Sequence, residues 1–154
     1  MTYEKLLQIA EEEKIEVIEF NFLGNLKGLY EDNYIGIRKD IDTITEKRCV
    51  LAEELGHYYT SVGNITDMKN VCNRKQEHRA RKWSYEKLIP LKSLIEASFV
   101  GCTNYYELAD YLNVTEEFLK DTLMHYQSKH GLYAEVDNYC IYFSPLTVCK
   151  YNYE

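Results

Sequence analysis

The stretch Val50-Leu51-Ala52-Glu53-Glu54-Leu55-Gly56-His57-Tyr58-Tyr59 decides how the chain is read. Helical periodicity puts Leu51, Leu55 and Tyr58 on a buried stripe and places Glu53 and His57 one turn apart on a shared face. A helix that holds a metal for hydrolysis needs two ligands at this i, i+4 spacing. It also needs a carboxylate directly after the first ligand, to take a proton from the attacking water. His57 occupies the second-ligand position and Glu54 the carboxylate position. The first-ligand position holds Glu53, where His-Glu-x-x-His would place histidine. By spacing alone, Glu-Glu-x-x-His also describes an ordinary charged helix face.

The helix carrying this stretch starts at a cap, Asp42 or Thr43, and runs to about Thr60. Gly56 inside it costs about 1 kcal/mol relative to alanine, which suggests that another backbone or side chain passes close by. Upstream, Thr2 caps a first helix with Tyr3, Leu6, Leu7 and Ala10 on its apolar stripe. Ile18, Phe20 and Phe22 then alternate as a strand, Gly24 and Gly28 mark turns, and Leu29-Tyr30 and Tyr34–Ile37 flank Glu31-Asp32-Asn33 as a hairpin. The opening third is therefore a helix followed by a small antiparallel sheet.

Downstream, residues 61 to 72 read as a polar connecting loop, followed by a helix from about Asn73 to Ile89. Pro90 begins another helix, Leu91 to Val100. Tyr105, Leu108, Ala109 and Leu112 give a short helix, and Thr115 caps the next, which runs towards Gly131. Tyr139, Ile141 and Phe143 fit a strand, Ser144-Pro145 a turn and Val148 a returning strand. His125 and His130 have no partner spacing that suggests chemistry, and His125 reads as an exposed or half-packed residue.

A third metal ligand must come from outside the Glu53–His57 helix. The next helix offers Glu77, twenty residues beyond His57, with Ala80 on roughly the same face to let two helices pack closely. Spacing leaves a second reading open, an i, i+4 salt bridge from Glu77 to Arg81. His78 points about 100° away round the helix, so it and Glu77 ligate together only with local distortion.

Composition narrows the function classes. The 154 residues suffice for one domain with a core, and a net charge of −7 argues against nonspecific binding to nucleic acid or anionic membrane. No apolar run is long enough to span a bilayer, and no N-terminal stretch pairs positive charge with an apolar segment, which suggests the cytoplasm. Five cysteines, odd in number and with no C-x-x-C pair, read as free thiols. Cys49 lies two turns before His57, roughly 12 Å along the axis and too far for a Cys–His nucleophile pair. The stretch 106–123 has the cadence of a helix-turn-helix, yet its second helix opens on Glu116 and Glu117, which meets phosphate repulsion and disfavours DNA binding.

The quoted stretch, extended as CVLAEELGHYYTSVGNI at 49–65, together with Gly28-Leu29-Tyr30, NRKQEHRARKWSYEKLI at 73–89 and YYELADYLNVTEEFLKDTLMHY at 105–126, resembles the ImmA/IrrE family of small phage- and mobile-element-associated metallopeptidases. The resemblance implies an α+β zincin-like metallopeptidase domain: a small antiparallel sheet, an active-site helix, a helical extension and a C-terminal β-hairpin. It places the core at 1–100 and a helical extension plus hairpin at 101–154. Residue by residue, it makes His57 and Glu77 metal ligands and Glu54 the catalytic base, and it sets Glu53 where the family has its first histidine. A carboxylate-rich set of Glu53, His57 and Glu77 admits Zn²⁺ and shifts preference towards Mn²⁺ or Fe²⁺. The implied substrate is a protein, a helix-turn-helix repressor of a phage or integrative element. The alternative is a metal-poor, non-catalytic antirepressor or protein-binding module of the same fold.

Overall fold

The computed structural model describes residues 1–61 and 72–151, so the polar loop read at 61–72 lies almost wholly outside the described residues. The chain forms two compact units, Met1–Lys87 and Leu88–Glu154.

In the first unit, α1 (Tyr3–Glu12) begins at Thr2, whose hydroxyl accepts the Lys5 N–H at 3.2 Å. Three strands follow, β1 (Glu16–Phe20), β2 (Gly28–Glu31) and β3 (Tyr34–Arg38), in spatial order β1-β3-β2. β2 and β3 form the expected hairpin, with Asp32 and Asn33 both at positive φ in a turn whose twist matches the strands. β1 pairs with β3 in parallel, so the sheet is mixed rather than antiparallel throughout. Gly28 does not mark a turn: it opens β2.

α2 (Ile44–Ser61) carries the decisive stretch and starts at Thr43, which accepts the Glu46 N–H at 3.1 Å. Ile35 and Ile37 of β3 are fully buried with Leu51 and Leu55 of α2 and Leu6 of α1. The alternation of strand side chains thus directs one sheet face to the helices. Arg48 is buried within α2, its Nε donating to the Met1 carbonyl at 2.6 Å. α3 (Cys72–Leu88) presents Ala80 and Ser84 as buried residues and its charged residues as a largely exposed face.

In the second unit, α4 (Leu91–Val100) follows Pro90, α5 (Tyr105–Leu112) is capped by Asn104, and α6 (Glu116–His130) by Thr115. Asn113 sits in the left-handed region between α5 and α6, ending α5 sharply. His125 is buried rather than exposed, because it falls beside Phe118, Leu119, Thr122 and Tyr126 on the packed side of α6. The expected C-terminal hairpin is present as β5 (Tyr139–Phe143) and β6 (Leu146–Lys150), and β4 (Tyr133–Val136) pairs with β5 to make three strands. Asp137, at positive φ between β4 and β5, is the turn signal for that additional strand. Cys49, Cys102, Cys140 and Cys149 are free thiols. Among the described residues no helix is long and apolar enough to cross a membrane.

Candidate functional site

The site forms where α2 meets α3 and the edge strand β2. Gly56 makes the first contact possible: a β-carbon there would overlap the carbonyl of Ala80. The two backbones therefore touch, and the helical cost of Gly56 is offset by close packing. This approach brings the side chains one turn away within reach of each other. His57 Nε2 lies 3.1 Å from Glu77 Oε2, and the other Glu77 oxygen lies 3.3 Å from Arg81 Nε. The salt bridge from Glu77 to Arg81 that the spacing allows is present, and the other carboxylate oxygen meets His57.

Glu54 faces the sheet. It is 8% exposed, and the absent side chain of Gly28 makes room for it. A β-carbon on Gly28 would stand 2.6 Å from Glu54 Oε1 and 2.7 Å from Val50 Cγ1. The Tyr30 backbone N–H donates to the Glu54 carboxylate. Burial above all, then the charges of Glu53 and Glu77, push the Glu54 carboxyl up to about 8; the Tyr30 bond opposes this. Without a bound cation, the proton affinity of Glu54 is therefore raised towards neutral pH, the range in which a general acid/base works.

The C-terminal end of α2 is fixed by residues that sequence reasoning did not single out. Glu13, just past α1, accepts from Tyr58 Oη at 2.8 Å and from Tyr59 Oη at 3.0 Å. The Tyr59 ring stacks on Trp83 of α3, with centroids 4.9 Å apart, and Tyr58 meets Tyr30 of β2 edge-on at 5.8 Å. Burial and the Glu13 bond push the Tyr59 phenol up to about 12. One carboxylate and four aromatic rings thus tie α1, α2, α3 and β2 together around His57. The available signal was the tyrosine-rich end of α2; its carboxylate partner, more than forty residues away, has no local pattern.

Among the described residues, no group of three or more His, Cys, Asp and Glu side chains is disposed to hold a metal ion. His57 and Glu77 form a pair, and Glu53 does not join them as a third member. The donor chemistry nonetheless suits a divalent cation. Two ligands at ~2.0–2.2 Å from one tetrahedral ion stand roughly 3.3–3.6 Å apart, so His57 and Glu77, at 3.1 Å, need separate only slightly to share one. Glu53, one turn before His57 on α2, is a carboxylate of the type such a pair lacks.

The family described as IrrE N-terminal-like domain, Peptidase_M78, matches residues 10–124, which span α1 to α6. The chain belongs to this family, whose members are of the zinc-metallopeptidase kind. No curated protein and no solved structure matches it.

Proposed function

We propose that the chain is a metal-dependent endopeptidase of the ImmA/IrrE type, and that it cuts a helix-turn-helix repressor of a phage or integrative element. The observation that carries this reading is the His57–Glu77 pair, joined across α2 and α3 beside a buried Glu54. Glu53, His57 and Glu77 would hold the cation, with Zn²⁺, Mn²⁺ and Fe²⁺ all compatible with two carboxylates and one imidazole. A cation bound there supplies Lewis acidity, polarising the scissile carbonyl and acidifying the attacking water.

The chain's own residues account for the rest. Glu54 takes the proton from the attacking water and passes it to the leaving amine, a transfer suited to a carboxyl whose affinity for protons has been raised by burial. The Tyr30 N–H orients the carboxylate, and the close wall formed by Gly28 keeps it out of bulk water. β2 is an edge strand, so an extended peptide could add to the sheet next to Glu54 and present its backbone there.

One observation favours a second reading, a non-catalytic antirepressor of the same fold. Glu77 is shared with Arg81, and no three-ligand group forms among the described residues. Metal content and cleavage separate the two. The protein should purify with about one equivalent of metal and cut a helix-turn-helix repressor into discrete fragments seen by mass spectrometry, and Glu54→Gln should abolish cutting. If the wild type carries no stoichiometric metal and Glu54→Gln still inactivates the repressor in cells, the peptidase reading fails.

A further inference from the structure

The β1-β3-β2 sheet has a face turned to the helices and an opposite face with a different character. Ile35, Ile37, Gly28 and Glu19 belong to the helix side: the first two are buried, Gly28 abuts Glu54, and Glu19 pairs with Lys47 at 2.5 Å. The intervening residues share the other side, and strand register arranges them in rows. Glu16, Tyr34 and Glu31 form the first row; Ile18, Gly36 and Leu29 the second; Phe20 and Arg38 the third.

Between the charged residues at its two ends, this outer face carries exposed apolar side chains. Ile18 is 39% exposed, Leu29 42% and Phe20 52%. Phe22 lies over Gly36, where a β-carbon would come within 2.8 Å of its ring, and stands 5.2 Å from Phe20 between ring centroids. Arg38 holds the connection between β1 and β2 onto this side. Its guanidinium donates to the carbonyls of Leu26 at 2.6 Å, Gly24 at 2.7 Å and Phe22 at 3.5 Å, while Nε donates to Asp40 at 2.8 Å. A loop secured by this many bonds to one side chain still holds Leu23 out at 98% exposure. An exposed apolar strip between charged groups on a fixed scaffold can be covered by a small partner element.

We propose that this face docks a basic amphipathic helix from a partner protein. Size selects a helix over a second copy of the chain. Strands of four or five residues at ~3.3 Å per residue and ~4.8 Å apart give a face of roughly 16 by 14 Å. That is about 220 Å², well short of the ~800 Å² per partner that a stable dimer buries. A helix ~10 Å across and about three turns long covers it. Charge selects the basic type: Glu16 and Glu31 flank Tyr34 in one row, and Asp32 follows in the adjoining turn. Lysine or arginine at the end of the helix's apolar stripe meets these carboxylates, while a stripe of leucines covers Ile18, Phe22 and Leu29. The proposal does not depend on the reading of Glu54, which faces the other side of the sheet.

The test uses two helical peptides of about 14 residues, one with a leucine stripe and lysines elsewhere, the other with glutamates in place of the lysines. Amide shifts on the full-length protein map the site, and fluorescence anisotropy gives affinity. The lysine peptide should shift residues 18, 23, 29 and 34, and Glu54→Gln should bind it as well as wild type. Leu23→Asp, at a solvent-facing loop position that leaves the core intact, should weaken binding about tenfold, as should the double change Glu16→Lys and Glu31→Lys. Equal binding of the glutamate peptide, or shifts confined to other surfaces, overturns the proposal. So does concentration-dependent dimerisation abolished by Ile18→Asp, which would make the face an interface between copies.

Discussion

His57 and Glu77 meet across two helices, with Nε2 3.1 Å from Oε2, although they lie twenty positions apart in the chain. Neither residue holds this position alone: the Gly56–Ala80 contact sets the helix spacing, and Arg81 steadies the second carboxylate oxygen. Removing Glu77 should therefore weaken metal binding more than removing Arg81. Glu77→Ala is expected to lower zinc affinity by at least about 100-fold and Arg81→Ala by about tenfold, as supporting residues do. Competition against a chromophoric chelator measures both, and equal effects would show that Glu77 serves only as a salt-bridge partner.

Glu53 gives the reciprocal prediction. Imidazole in place of its carboxylate makes the donor set softer and less anionic, which favours zinc over harder ions. Glu53→His should tighten zinc by about tenfold, ~1.4 kcal/mol, and reduce any preference for Mn²⁺. Unchanged zinc affinity would remove Glu53 from the ligand set.

Gly56→Ala sets two effects against each other. Helix propensity favours alanine by ~1 kcal/mol, whereas the added methyl collides with the Ala80 carbonyl, a backbone atom that moves only if α3 moves. Overpacking of this kind costs ~1–3 kcal/mol, so the collision dominates. Chemical denaturation should show net destabilisation together with weaker metal binding. A stability gain would mean that α2 and α3 are further apart than this contact requires.

The pattern of legibility follows from where each interaction lives. Caps at Thr2, Thr43 and Thr115 and the Asp32–Asn33 turn are local chemistry, so sequence identifies them. The i, i+4 relation of Glu53 and His57 and the close approach at Gly56 are likewise fixed by helix geometry. The parallel pairing of β1 with β3 is not local, because strand order depends on how the sheet packs against α1 and α2. Gly28 looked like turn punctuation because a glycine admitting a buried carboxylate from another element resembles one admitting a turn. Glu13 ends the acidic run Glu11-Glu12-Glu13, which locally resembles any solvated face, and its two tyrosine partners emerge only when α1 lies along α2.

The raised Glu54 carboxyl predicts a pH dependence for the metal-free protein. In the unfolded chain Glu54 titrates at its ordinary value of 4.5, and in the folded chain at about 8. Between these values the folded state binds more protons than the unfolded state, so stability falls as pH rises. The loss begins above about pH 4.5 and levels off above about pH 8. Denaturation midpoints measured across this window should decline for the wild type and decline less for Glu54→Gln. Identical profiles would place the proton on another group.

Gly28→Ala tests whether β2 positions the proton-transfer group. The new methyl would stand 2.6 Å from Glu54 Oε1 and 2.7 Å from Val50 Cγ1, and the carboxylate is the more movable neighbour. Displacing it also strains its bond from the Tyr30 N–H. Misplacement of a catalytic group by about 1 Å costs roughly 100-fold in rate, far more than the accompanying stability change would cause. Turnover of the proposed protein substrate should therefore fall at unchanged metal content. Full turnover in a folded Gly28→Ala protein would mean that Glu54 does not take its catalytic position from β2.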